Sequence, residues 1–272
     1  MKKRLFLIST ILIGLTCFIM IACQKDSTTA KSQGWDQNSP EASNVIGLNT
    51  FDALNAIADQ TFSTNNLKSA GIGDCPSLTL DISQTPWVLT FDWGTGCVGT
   101  DSIDRKGKIT VSMTGLMNVP ESVATFTFID FYSGGNKITG IHTITYAGLN
   151  PGNSWPRFEI HTEGQITYPD GKYITYLSDN VRLLAEGAGT ATWTDDVWRI
   201  EGTWSGTTRE GVNWTTTCNH ALVKKATCNW FDSGTLVITP EGGVASTVDF
   251  GDGTCDNKAT LTIGTTTVNV EM

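Results

Sequence analysis

Hydrophobic and polar positions divide the chain into four stretches. Leu5 to Ile21 form an almost continuous apolar run. Residues 24–46 are rich in Ser, Thr, Asn, Gln, Asp and Lys, which predicts a flexible tether because such a segment cannot offset the entropy of ordering. Residues 50–63 carry apolar side chains at helical spacing, which predicts one short helix behind the N-caps Asn49 and Thr50.

From Cys75 onward, short runs rich in Thr, Val, Ile, Trp and Tyr alternate with turn signals such as Gly134-Gly135-Asn136 and Pro169-Asp170-Gly171. No helical period interrupts these runs. Strands joined by tight turns pair antiparallel. The sequence therefore predicts an all-β domain over residues 47–272, an antiparallel meander that forms a sandwich or a strongly curved sheet behind its one helix.

One strand-turn-strand pattern occurs twice. Cys75, Leu78 to Leu80, Phe91 to Cys97 and Ile109 to Val111 correspond to Cys228, Leu236 to Ile238, Val248 to Cys255 and Leu261 to Ile263. The repeat favours a single domain and predicts the disulfides Cys75–Cys97 and Cys228–Cys255, with chance similarity of two hairpins as the alternative. Cys218 is left over, and strand alternation with Val212, Trp214 and Thr216 predicts a buried, inert thiol.

The N-terminus has the order of a secretory signal, since Lys2, Lys3 and Arg4 precede the apolar run. Met20-Ile21-Ala22-Cys23 then resembles the lipobox of bacterial lipoproteins, with methionine in place of the usual leucine. That resemblance implies cleavage after a signal peptide of residues 1–22, lipidation of Cys23 and a tether over 23–46. An uncleaved membrane helix is the alternative, although the run is near the lower limit of ~17 to 25 residues for a span.

The residues behind the cysteine refine the expected location. Gln24 is not the aspartate that resembles an inner-membrane retention mark, which favours the outer membrane. Gln24, Lys25 and Asp26 resemble a short export signal that sends lipoproteins to the outer face of the cell. We therefore expect a lipid-anchored outer-membrane protein. If the resemblance to the export signal holds, the protein is exposed on the cell surface.

Charge and composition narrow the partners. The chain has a net charge of −9, and loss of residues 1–22 removes three basic residues, which leaves 15 Lys and Arg against 27 Asp and Glu and a net charge of −12. Nucleic acid is therefore not an expected partner. The membrane is expected through the lipid anchor, with a glycan or protein as ligand, and no cofactor is expected.

Candidate chemistry is sparse. Thr247 to Thr254 resembles the signature of PKD-type modules over under a dozen residues, and Asp249, Asp252 and Asp256 are weak calcium candidates there. His142 is expected to pack in the core. Alternation places Glu159, His161 and Glu163 on one strand face, a row that suits a metal or acid-base site but is ordinary for a solvated face. No catalytic residue is assigned.

Carboxylates and tryptophans motivate a second function class. Asp195 and Asp196 adjoin in a predicted loop, and glycosidases need two carboxylates several ångströms apart. Trp198 and Trp204 are expected in the core, whereas Trp155 and Trp193 lie beside loops and are candidates for stacking on a sugar or peptide.

Lipobox, polar tether, helix and Thr-rich β domain with cysteine-bearing turns together resemble a family of β-rich bacterial surface lipoproteins, over nearly all of the mature chain. That resemblance implies no activity. The sequence favours a non-enzymatic binding, adhesion or structural module of the envelope. The alternative is a surface glycan-active hydrolase or carbohydrate-binding accessory protein, for which an aromatic-lined cleft with two facing carboxylates is expected.

Overall fold

The computed structural model describes residues 33–62, 75–99, 101–190 and 192–272. The chain from Lys31 to Met272 forms one compact unit. Its elements are β1 (Gln33–Gly34), α1 (Pro40–Phe62), β2 (Ser77–Asp81), β3 (Trp87–Val98), β4 (Asp104–Met113), β5 (Val123–Ser133), β6 (Asn136–Leu149), β7 (Pro156–Thr167), β8 (Tyr173–Glu186), β9 (Val197–Thr207), β10 (Asn213–Lys225), β11 (Ser233–Pro240), β12 (Ser246–Asp252), β13 (Lys258–Ile263) and β14 (Thr266–Glu271).

All strands belong to one open sheet. Strands β2 to β14 form an antiparallel meander in sequence order, and the two-residue β1 adds in parallel to β14. The predicted all-β class with one helix is confirmed. Of the two predicted arrangements, the structure has the single sheet, whose edges are β2 on one side and β14 with β1 on the other.

Because neighbouring strands alternate in direction, the hairpin connections fall at two ends of the sheet. We call the end where the even-numbered strands finish the even end, and the opposite one the odd end. The even end carries connections 82–86, 114–122, 150–155, 187–196, 226–232 and 253–257. The odd end carries connections 99–103, 134–135, 168–172, 208–212, 241–245 and 264–265.

Helix α1 begins at Pro40, ten residues before the predicted start near residue 50. Residues 40–46 were assigned to the tether, and that assignment is wrong for them. Ser39 caps the helix, since its Oγ accepts the Ala42 N–H at 3.0 Å, and proline fits the first helical position. Ala42 and Val45 are buried in the core, so the few apolar residues of this segment are enough to hold it against the sheet.

The sheet curves around α1. Glu41 accepts a hydrogen bond from Ser246 of β12 at 2.6 Å, and the Phe51 ring lies 6.4 Å from the Phe128 ring of β5. Ten helical residues rise only ~15 Å. The seven strand spacings from β5 to β12 would cover ~33 Å on a flat sheet. Both contacts are therefore satisfied only by a curved sheet.

Two glycines let the helix approach the strands closely. A Cβ at Gly47 of α1 would overlap the ring of Tyr176, and a Cβ at Gly164 of β7 would overlap the ring of Phe51. The Phe51 and Tyr176 rings stack with centroids 5.3 Å apart. The interior around them is filled by large side chains that are almost wholly buried, among them Trp204, Trp214, Phe91, Phe126, Phe231 and Phe250.

The two repeated units take equivalent positions near the two edges. Strands β2 to β4 hold the first copy and β11 to β13 the second, and both predicted disulfides, Cys75–Cys97 and Cys228–Cys255, are present. Their Cα atoms are 6.2 and 5.7 Å apart. In the part of the chain that the structure describes, no helix combines the length and apolar character needed to cross a membrane.

Candidate functional site

A polar groove of about 370 Å³ runs over the outward face of β6 to β9. Strand alternation and register build it. Thr143, His161 and Asp179 lie side by side in one cross-strand row, and Thr145, Glu159, Val181 and Glu201 form the next row. We call this surface the outer groove. Because its side chains stand on paired strands, they are held in place without a ligand.

His161 is the charged centre of the outer groove. Its Nδ1 lies 2.7 Å from Asp179 Oδ1, and its Nε2 lies 3.5 Å from Glu163 Oε1. The hydrogen bond to Asp179, with a smaller contribution from Glu163, raises the pKa of His161. When protonated, the ring donates from Nδ1 to Asp179 and directs its Nε2 side toward Glu163.

The polar neighbours of His161 differ on its two ring nitrogens. Nδ1 is hydrogen-bonded to Asp179, and Nε2 lies 3.5 Å from Glu163. The neighbouring Thr143 hydroxyl donates to the His161 carbonyl at 3.2 Å and not to its ring. Among the described residues, the predicted row of Glu159, His161 and Glu163 is not a grouping close enough to share a metal ion.

A second polar cluster is buried between α1 and the sheet. Asp59 pairs with Arg182 at 3.1 Å, and Asp52 pairs with Lys224 at 3.6 Å. The void beside them is about 10 Å³, room for one water molecule. Buried ion pairs without an opening stabilise the position of the helix, and they leave no space for a substrate.

His142 lies in this cluster, as predicted for a packed histidine. Its ring nitrogens are 2.9 Å from the Thr162 hydroxyl and 3.2 Å from the Asn55 side-chain oxygen. Burial, with the charge of Arg182, lowers the pKa of His142 to about 3. The ring is neutral at physiological pH and connects the helix to the sheet.

The predicted carboxylate pair Asp195 and Asp196 divides between two environments. Asp195 is exposed and accepts a hydrogen bond from the Thr190 hydroxyl at 3.0 Å. Asp196 is buried, and burial together with the charge of Asp59 raises its pKa to about 7. The two carboxylates do not face each other across a cleft.

The three candidate aspartates near the C-terminus each accept a backbone hydrogen bond. Asp249, Asp252 and Asp256 each accept a backbone N–H two residues further on, at 2.9, 3.2 and 3.0 Å. Among the described residues, the one grouping close enough for a shared ion is Cys228, Asp232 and Cys255, and both of its sulfurs are bonded in the disulfide. The three aspartates therefore act as turn-forming side chains.

The two tryptophans that were predicted to lie in the core are buried there. Trp198 and Trp204 are buried. Trp155 and Trp193, the stacking candidates, are half-buried in connections 150–155 and 187–196, both at the even end. They lie outside the lining of the outer groove, which contains no aromatic side chain.

Cys218 is a free thiol, half-buried on β10, and burial raises its pKa. Its Sγ donates to the His220 carbonyl oxygen at 3.1 Å, whereas the Nδ1 of the His220 ring lies 2.8 Å from the Thr235 hydroxyl. Val212, placed by alternation on the face of Cys218, is instead 40 % exposed because it lies in the preceding turn. The lipidation residue Cys23 and the sorting residues Gln24, Lys25 and Asp26 lie outside the described residues.

Two groove residues, Asp179 and Glu201, are absent from the sequence-based candidates. Each stands on a strand next to the predicted row, on β8 and β9. Only the pairing register brings them beside His161 and Glu159. Alternation within the Tyr173–Glu186 run could have placed Asp179 on the outward face, but not opposite His161.

Comparison with known proteins adds no relative: no protein-family model, curated protein or solved structure matches this chain.

Proposed function

We propose that the chain is a lipoprotein of the outer membrane, anchored through Cys23, whose β-sheet module binds a polar ligand in the outer groove without chemical conversion. The single observation that carries the binding role is the set of carboxylates in the outer groove. Glu159, Asp179 and Glu201 stand there on paired strands, and Asp179 lies 2.7 Å from His161 Nδ1. Such a surface recognises positive charge on a ligand.

The groove chemistry favours a ligand that carries positive charge and hydroxyl groups. Glu159, Asp179 and Glu201 contribute carboxylates, and Thr143 and Thr145 contribute hydroxyls. A suitable probe is a glucosamine trimer, with its N-acetylated form as the uncharged counterpart. We expect calorimetry to detect binding of the amine form and weaker binding of the acetylated form.

Glu159→Gln and Glu201→Gln test the assignment of the groove. Each is expected to weaken binding of the amine trimer ~5-fold, since an exposed charge pair contributes up to ~1 kcal/mol. Glu210→Gln, at the odd end, is the matched control and is expected to change nothing. Equal affinity of the two trimers, or of the variants and the parent, would contradict the assignment.

The anchor and its location need separate tests. Metabolic labelling with palmitate is expected to label the parent chain and not Cys23→Ser. Protease treatment of intact cells is then expected to release the mature domain, as surface display requires. Release only after the outer membrane is broken would place the domain on its periplasmic side.

A glycan hydrolase is the second candidate, and one observation favours it. Glu159 and Glu201 both stand opposite Val181, one on each side. Two strand spacings separate their backbones by ~10 Å, close to the ~6.5 to 9.5 Å between the carboxyl groups of inverting glycosidases. Release of reducing ends from the glucosamine trimer, abolished in Glu159→Gln, would support hydrolysis over binding alone.

A further inference from the structure

The tryptophans of the chain are unevenly distributed. Four of the nine are buried in the core, namely Trp93, Trp198, Trp204 and Trp214. The other five are half-buried, and four of these lie in or beside connections of the even end: Trp87, Trp155, Trp193 and Trp230. The fifth, Trp35, directly follows β1 where it pairs with the last residues of β14, also at the even end.

Exposed aliphatic side chains accompany them on or beside three adjacent connections of this end. Ile82, Leu116 and Leu149 are 65 %, 59 % and 59 % exposed, and Val119 is 52 % exposed. The connections are contiguous, since Glu121 donates its N–H to the Tyr146 carbonyl at 2.8 Å, and Trp87 pairs with Met113. Large apolar side chains at neighbouring loop tips are unusual on a surface that meets only water.

Tryptophan, rather than charge, distinguishes the two ends of the sheet. Both ends carry ion pairs: Lys172–Glu210 and Arg209–Asp170 at the odd end, and Lys225–Asp232 and Lys258–Asp256 at the even end. The odd end also has exposed apolar residues, such as Val212 and Val244, but among the described residues it has no half-buried tryptophan. Tryptophan with aliphatic tips is typical of membrane interfaces.

The path of the chain indicates that a lipid bilayer is the surface that the even end contacts. Gly34 pairs with Glu271, the last residue of β14, so the chain joins the sheet at the even end. Cys23 precedes Gln33 by ten residues, which reach at most ~36 Å. Lipid on Cys23 is therefore tethered within ~36 Å of Gln33, which pairs with β14 at the end that carries the tryptophans.

We infer that the even end of the sheet rests on the surface of the bilayer that holds the Cys23 lipid, with Leu116, Val119 and Leu149 inserted among the headgroups. This inference rests on the proposed lipid anchor. In this orientation the strands lie above the bilayer surface and do not cross the membrane. The outer groove, midway along β6 to β9, stays clear of the lipid.

The test uses full-length, lipidated protein in phosphatidylcholine vesicles. Single cysteines are introduced by Leu116→Cys and Leu149→Cys, with Val212→Cys and Val244→Cys at the odd end as matched controls, all with Cys218→Ser. Each is labelled with an environment-sensitive fluorophore and quenched by nitroxide-bearing lipid. Quenching at 116 and 149 is expected to be at least ~3-fold stronger than at 212 and 244, because interfacial groups lie ~5 to 10 Å into the headgroup region.

The outcomes separate the orientation from the anchor. Protein that floats with the vesicles but is quenched equally at both ends would overturn the orientation and leave the anchor intact. Protein that does not float would overturn both.

Discussion

At the scale of single residues, the interior of the sheet holds charges that are matched across the α1 interface. Arg182 and Lys224 of the strands pair with Asp59 and Asp52 of the helix. Breaking one partner of a buried pair leaves an uncompensated charge, which costs ~3 to 5 kcal/mol. Asp196 lies close to this network, and the charge of Asp59 contributes to the raised pKa of its carboxyl group.

Asp196 is expected to make stability pH-dependent. Because burial and Asp59 raise the pKa of Asp196 to about 7 in the folded protein, the protonated form is favoured there. Its contribution is fully present below the unfolded pKa near 3.8 and is lost as the pH rises through 7. The free energy of unfolding of the parent, measured with urea, should therefore be lower at pH 8 than at pH 5. In Asp196→Asn this decrease should be smaller by on the order of 2 kcal/mol.

Asp130→Asn is the matched control, since Asp130 is exposed and pairs with Lys137 at the surface. Its pH dependence should match that of the parent. If Asp196→Asn also retained the full decline between pH 5 and pH 8, the environment assigned to Asp196 would be wrong.

At the scale of elements, α1 is the part that the hydrophobic pattern described least well. The pattern located the apolar stripe from Phe51 onward but placed the start ten residues late, although Ser39, Pro40 and Glu41 form an N-terminal helix signal. The glycine contacts of this helix could not be predicted, because they depend on which strands the helix meets. Gly47 lowers helix propensity and is nonetheless required by the ring of Tyr176.

Gly47→Ala therefore tests the docking of α1. Alanine improves helix propensity by ~1 kcal/mol, but its Cβ overlaps Tyr176, and overpacking costs ~1 to 3 kcal/mol. We expect a net loss of stability of ~1 kcal/mol in thermal or urea unfolding. Gln60→Ala, in the same helix without such a contact, should not destabilise the protein. A stabilised Gly47→Ala variant would show that the helix does not pack as described.

At the scale of the whole molecule, an open sheet depends on its edges, and each edge region carries one of the two disulfides. The loops they close span 22 and 27 residues, which corresponds to ~3 to 4 kcal/mol each in the chain-entropy model. Cys228→Ser with Cys255→Ser should lower the free energy of unfolding by about that amount. Cys218→Ser should have little effect, and equal losses in both variants would contradict the pairing.

The sequence predicted the all-β class, the meander and both disulfides, because turn signals and a repeated cysteine pattern are local information. It could not predict the outer groove. His161 and Glu159 were recognisable on one strand, but Asp179 and Glu201 join them only through the register of β7 to β9. The even end likewise becomes visible only when hairpins far apart in sequence align their connections.

The central claim, a binding module held to a membrane by lipid on Cys23, is tested most directly by the intact mass of the protein extracted from membranes. The account predicts a chain that begins at Cys23, lacks residues 1–22 and carries the added mass of a diacylglyceryl group with its acyl chains. A chain that retains residues 1–22, or that begins elsewhere without lipid, would contradict it.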